Sequence, residues 1–210
     1  MCEVSIRWKQ EFFADVEEIR LKEPLAEFLG AVEEGEEFVF TYTDCIKFAG
    51  HSCPTVAGAY KLTQKALKAL YGENLPVRGR IKVKVLGRRD EGVNGVMSQI
   101  ISFITGACPE TGFSGLNGKF IRKDKLIFEE EINEPHTFIF SCEDNPRQIK
   151  AKFYPEKLPK NEKLNSLFKK SFYGVATEEE KEEFKNLWQE RVRMVLFAEI
   201  PGLFEIEEVI

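Results

Sequence analysis

The sequence has no apolar run approaching the roughly 18 to 20 residues that a membrane-spanning helix needs, and its first ten residues, MCEVSIRWKQ, contain no apolar signal core. It also has no excess of positive charge, since 30 Lys and Arg stand against 35 Asp and Glu, for a formal net charge of −5. These absences predict a cytoplasmic protein that binds no membrane, and they disfavour nucleic-acid binding.

Cysteine and histidine are scarce, and the sequence contains no CxxC pair. An odd and sparse set of cysteines argues against a disulfide framework, and the missing CxxC argues against a closed four-cysteine zinc site. Reduced thiols are therefore available for metal or redox chemistry. We expect Cys142 in the core, because it alternates with two phenylalanines, and His136 at a surface or edge position. The full set is Cys2, Cys45, Cys53, Cys108 and Cys142 with His51 and His136.

Apolar side chains are plentiful: 43% of the residues are hydrophobic and 18 are Phe. This composition excludes a disordered tail or a fibrous repeat and predicts a compact globular protein. A chain of 210 residues has room for one large domain, or for one domain and a tail.

The apolar pattern predicts helices and strands that do not alternate as regular βαβ units. Helical spacing covers 16–29, where Pro24 splits it, 55–71 and 96–105, whereas alternation predicts strands at 36–44 and 80–87. Three further alternating segments suggest consecutive antiparallel strands: 125–132, 136–144 and 148–155. The pattern therefore predicts an α+β fold with a mainly antiparallel sheet packed against helices.

The C-terminal third differs from the rest of the sequence in its residue pattern. Prolines punctuate a Lys-rich linker, and Thr177 with Glu180 forms a capping box for a helix that has Phe184 and Trp188 on one side. We therefore divide the chain into a core at 1–154 and a linker with a C-terminal helical extension at 155–210, packed on the core or on a partner subunit.

His51 and Cys53 are one residue apart on the entry turn of the predicted helix 55–71, where unpaired backbone N–H groups favour a thiolate. Cys108 follows the end of the other buried helix, and Cys45 or Asp44 could reach the same turn from the strand before it. His51, Cys53, Cys108 and Cys45 thus predict an N/S ligand set for zinc or another divalent transition metal with one position open. The competing interpretation is that the thiols are ordinary core residues.

The segment FAGHSCP at 48–54 resembles the Gly-His-x-Cys-Pro-Gly motif of the FmdE-like family, which is named after formylmethanofuran dehydrogenase operons. The segment from Val96 to Cys108 is similar to that family's helix ending in Thr-Gly-Cys. The match covers about 45–140 and lacks the family's C-terminal zinc finger, and Thr55 replaces the usual glycine. The resemblance implies an α+β core, a homodimer and a His/Cys metal cleft.

Three functions fit these observations. The first is a metal-binding protein, which could be an enzyme acting on a small-molecule substrate or cofactor at the open metal position. The second is a haem protein with Cys/His ligation. The third is a non-catalytic accessory subunit or metal chaperone that docks on a partner through its C-terminal helix.

Overall fold

A computed structural model describes residues 6–209 of the chain. Within these residues the chain forms six α-helices and two β-sheets, which confirms the predicted α+β class. The helices are α1 (Pro24–Phe28), α2 (Tyr42–Ala49), α3 (Pro54–Tyr71), α4 (Asn94–Thr105), α5 (Glu162–Phe172) and α6 (Glu178–Phe197). The strands are β1 (Ile19–Lys22), β2 (Glu37–Phe40), β3 (Ile81–Val85), β4 (Leu126–Phe128), β5 (Thr137–Cys142), β6 (Asn145–Phe153) and β7 (Phe204–Val209).

The larger sheet has the strand order β4-β3-β5-β6-β7, and its pairs are antiparallel except β3 with β4. The prediction of three consecutive antiparallel strands is wrong for the first of them, because β3 lies between β4 and β5. Alternation identifies a strand and its buried face, but it does not identify the strand's neighbour. The smaller sheet pairs β1 with β2.

The core lies between one face of the larger sheet and the helices. In β3, Ile81, Val83 and Val85 are buried while the two intervening lysines are exposed, as the alternating pattern predicts. Helix α3 packs over β6, where Gly58 lies against the ring of Phe153. This packing positions the N-terminal end of α3, where two of the predicted metal ligands, His51 and Cys53, lie.

The strand predicted at 36–44 is too long. It ends at Phe40, and helix α2 begins after Thr41, whose side chain accepts a hydrogen bond from the backbone N–H of Asp44. The Asp44 carboxylate in turn accepts from the backbone N–H of Thr41, which completes a capping box. The helix prediction at 16–29 is also wrong in its first half, which forms β1 against β2. Both segments are short, so their hydrophobic periodicity is a weak signal. Strand pairing of β1 with β2 and the capping box of α2 decide the structure instead.

The C-terminal segment contains two elements that the sequence did not predict. Helix α5 lies inside the expected linker and packs against α6, and β7 pairs with β6 at the edge of the larger sheet. Helix α6 begins at the predicted capping box and packs against α3. The division at residue 154 stays a prediction. No helix within 6–209 is long and apolar enough to cross a membrane.

Candidate functional site

A tight turn joins α2 to α3 and contains both His51 and Cys53, which are separated by Ser52. Gly50 ends α2 in the left-handed conformation, with φ of 76°, which glycine adopts without the strain that a Cβ would add. Cys53 is the N-cap residue of α3, and Pro54 follows at the first helical position, where its missing N–H costs nothing. The local sequence GHSCP therefore specifies this turn.

Ser52 anchors the turn to the rest of the molecule. Its hydroxyl lies 2.9 Å from the hydroxyl of the buried Tyr42 and donates to Gln189 Oε1 at 3.1 Å. Its carbonyl accepts a hydrogen bond from Trp188 Nε1 at 3.0 Å. Sequence analysis missed these partners, because the α6 residues lie more than 130 positions away. The aromatic stripe on α6, which we interpreted as packing, was the one feature that pointed to a contact of this kind.

His51 is exposed, and one of its ring nitrogens is already engaged. Its Nδ1 lies 3.0 Å from the carbonyl oxygen of Ala49. A carbonyl only accepts hydrogen bonds, so Nδ1 is the donor, and Nε2 is the ring nitrogen left for a metal ion. A backbone carbonyl that fixes the ring in this way is a common arrangement around metal-binding histidines.

Cys53 places its sulfur at the first turn of α3. Its Sγ accepts a hydrogen bond from the backbone N–H of Val56 at 3.5 Å, and the residue is 8% exposed. His51 and Cys53 therefore offer one nitrogen and one sulfur donor on a single anchored turn.

The other two predicted ligands have separate surroundings. Cys108 lies in the loop after α4, where its backbone N–H donates to the carbonyl of Arg122 and its Sγ lies 3.8 Å from the hydroxyl of Ser102. Cys45 is fully buried in α2, and burial raises the pKa of its thiol to about 12, with the neighbouring Asp44 carboxylate adding to the effect.

Within residues 6–209, no three His, Cys, Asp or Glu side chains are arranged to hold a metal ion. The predicted site of His51, Cys53, Cys108 and Cys45 stays a prediction. Cys142 is buried in β5, and Cys2 lies outside the described residues. His136 is half-buried just before β5, and burial lowers the pKa of its imidazole.

Comparison with known proteins identifies one family. The family described as "FmdE, Molybdenum formylmethanofuran dehydrogenase operon" matches residues 48–205. Among solved structures, an FmdE-like protein of the tungsten formylmethanofuran dehydrogenase type from Syntrophus aciditrophicus aligns with 11% sequence identity and a TM-score of 0.42. That alignment covers 81% of this chain and 72% of the other. No curated protein matches this sequence.

Proposed function

Because this chain belongs to the FmdE family, we propose that it is an accessory protein that binds a divalent transition metal ion through His51 and Cys53. One observation carries the proposal: the imidazole of His51 and the Sγ of Cys53 lie on a turn whose backbone is held by the hydrogen bonds of Ser52. An anchored turn holds its donors in place before the metal arrives, which reduces the entropy lost on binding.

The donor types favour zinc or a metal of similar softness, because imidazole and thiolate are the ligands that such ions prefer. A structural ion of this kind needs about four donors, and the α2–α3 turn supplies two. A second copy of the chain, related by two-fold symmetry, would present His51 and Cys53 again and complete a two-nitrogen, two-sulfur set. The proposed protein is therefore a homodimer with a shared ion.

The exposure of His51 supports this arrangement, because a ligand on the surface is accessible to a second copy. The alternative is that Cys108 completes the site within one chain. The two arrangements differ in stoichiometry, since a shared ion gives one metal per two chains and an internal site gives one per chain. They differ also in whether Cys108→Ser changes the metal content.

The test is elemental analysis of protein purified without added metal, together with its mass in solution. We expect a dimer with bound metal, and we expect His51→Ala and Cys53→Ser each to lose most of that metal while keeping the circular dichroism spectrum of the wild type. Cys142→Ser is the matched control, since Cys142 is a buried thiol in β5. Full metal content in both ligand variants would refute the proposal. A haem absorption band in the purified protein would do so as well.

A further inference from the structure

A second candidate site lies in a cavity of about 560 Å³ between the start of β3 and the loop before β4. Two acidic side chains, Glu143 and Asp144, lie on one side of this cavity. Basic side chains dominate the rest of its wall: Arg78, Arg80, Lys119, Arg122 and Lys125. The predicted metal ligands do not line it.

Arg122 is the buried member of this group. Its side chain is 7% exposed, and its Nη2 donates to the buried carboxylate of Glu23. Its Nη1 is buried and has no hydrogen-bond partner within the described residues. A buried guanidinium with an unpaired donor has its charge only partly compensated, and because Arg122 lines the cavity, an anion bound there would supply negative charge beside it.

The backbone is shaped around this guanidinium. Gly79, which lines the cavity, has φ of +83°, and a Cβ there would lie 1.7 Å from Nη1 of Arg122. A Cβ on Gly106 would lie 2.6 Å from the same atom. Two glycines thus leave the space in which the unpartnered nitrogen sits.

Charge in and around the cavity is not balanced. Glu23 is one carboxylate shared by two guanidinium groups, since it also accepts from Arg78 Nη1 at 2.6 Å. Arg80 pairs with Asp144 at 2.5 Å and Lys125 pairs with Glu143 at 2.9 Å. With Glu23 included, five positive groups face three negative ones, in a protein whose formal net charge is −5.

Lys119 supplies the exposed positive charge of the cavity. Its side chain is exposed and makes no ion pair in the described part of the chain, so it is available to a ligand. Beside it, Phe120 is half-buried and its ring lies 5.3 Å from that of Phe28. Phe120, Ile121 and Pro24 give the cavity an apolar side next to its charged one.

From this arrangement we propose that the cavity binds a small organic oxyanion, whose phosphate or carboxylate group lies against Arg122 and Lys119 and whose apolar part lies against Phe120. Guanidinium groups pair well with the planar or tetrahedral oxygens of both groups. A cavity of this volume accommodates a small molecule rather than a macromolecule. The proposal does not depend on the metal site.

Isothermal titration calorimetry at low salt, with phenyl phosphate and benzoate as separate probes and phenol as the uncharged control, tests the proposal. Binding of phenyl phosphate alone assigns a phosphate ligand, and binding of benzoate alone assigns a carboxylate. Affinity should fall as salt rises. If neither anion binds, or if phenol binds as tightly as both, the proposal is wrong.

Two surface variants of opposite charge separate a specific effect from misfolding. Lys119→Gln removes a charge-assisted hydrogen bond and should weaken binding about tenfold. Asp144→Asn removes a negative charge from the wall and releases Arg80, so it should tighten binding about threefold. Lys169→Gln, an exposed lysine on α5, is the matched control and should leave affinity unchanged.

Arg122→Lys tests the buried guanidinium itself, because lysine keeps the charge but loses the forked donors. We expect a larger loss of affinity than for Lys119→Gln. If Arg122→Lys does not fold, the affinities of Lys119→Gln and Asp144→Asn for the anion still test the proposal. Identical affinities in wild type, Lys119→Gln and Asp144→Asn would overturn the proposal. The same results are expected with EDTA present, which distinguishes this site from the proposed metal site.

Discussion

Gly58 is the residue at which helix propensity and tertiary packing make opposite predictions. It lies within α3, so replacing it by alanine should stabilise an isolated helix by about 1 kcal/mol. In the folded protein, however, a Cβ at this position would lie 2.5 Å from Cε1 and 2.7 Å from Cδ1 of Phe153. Carbon atoms normally pack about 3.5 to 4.0 Å apart, so one of the two residues must move by about 1 Å.

Phe153 has little freedom to move. It is 2% exposed, and its ring stacks on that of Phe204 at 5.1 Å between centroids. Overpacking a rigid core costs about 1 to 3 kcal/mol, and a contact this short lies at the upper end of that range. Subtracting the gain in helix propensity leaves a net destabilisation of about 1 to 2 kcal/mol for Gly58→Ala.

Urea unfolding followed by circular dichroism measures this change. The midpoint should fall while the slope with denaturant stays constant, and the Tm should fall by about 2 to 4 °C for each kcal/mol. In a double-mutant cycle, Phe153→Leu should relieve part of the cost of Gly58→Ala, since leucine leaves room beside the helix. A Gly58→Ala variant at least as stable as the wild type would refute the steric argument.

Three further predictions concern single side chains. Thr177→Ala removes the N-cap of α6 and should lower the free energy of unfolding by about 1 kcal/mol, measured by urea unfolding; a variant as stable as the wild type would contradict the capping box. Iodoacetamide at pH 8 should label Cys108 well before Cys45, because Cys45 is fully buried and its pKa is raised to about 12; peptide mass spectrometry reads the order, and earlier labelling of Cys45 would be inconsistent with its burial. Burial lowers the pKa of the His136 imidazole below its usual 6.5, so the unfolded state binds a proton more readily than the folded state. The stability that neutral His136 contributes is therefore present above about pH 6.5. It is lost as the pH falls through the folded-state pKa. His136→Gln should therefore make the free energy of unfolding depend less on pH between pH 7 and 5. If the pH dependence is unchanged in this variant, His136 is not its cause.

The sequence predicted long and strongly patterned elements well. Helix α3 runs from Pro54 to Tyr71 as its apolar spacing indicated, and α4 ends at Gly106 as expected. The capping box of α6 is formed by the two residues that the pattern identified. These features are local, because neighbouring residues along the chain determine them.

The candidate metal site could be predicted only in part. The pair on the α2–α3 turn is a local feature of five consecutive residues, so the sequence was sufficient to identify it. The proposed participation of Cys108 and Cys45 needs a distance through space, and periodicity gives no such distance. The family match at 48–205 confirms the resemblance that the motif suggested, and the ligand set of His51, Cys53, Cys108 and Cys45 stays a prediction.

The sequence alone determined the fold class, the main helices and the presence of His51 and Cys53 on one turn, because hydrophobic period, proline, glycine and capping residues act over a few positions. The tertiary structure alone decided the strand order, the bond between Trp188 and Ser52, and the convergence of Arg78, Arg122 and Glu23. Those contacts join segments far apart in the chain. Their partners are selected by packing of the whole core, which no short stretch of sequence specifies.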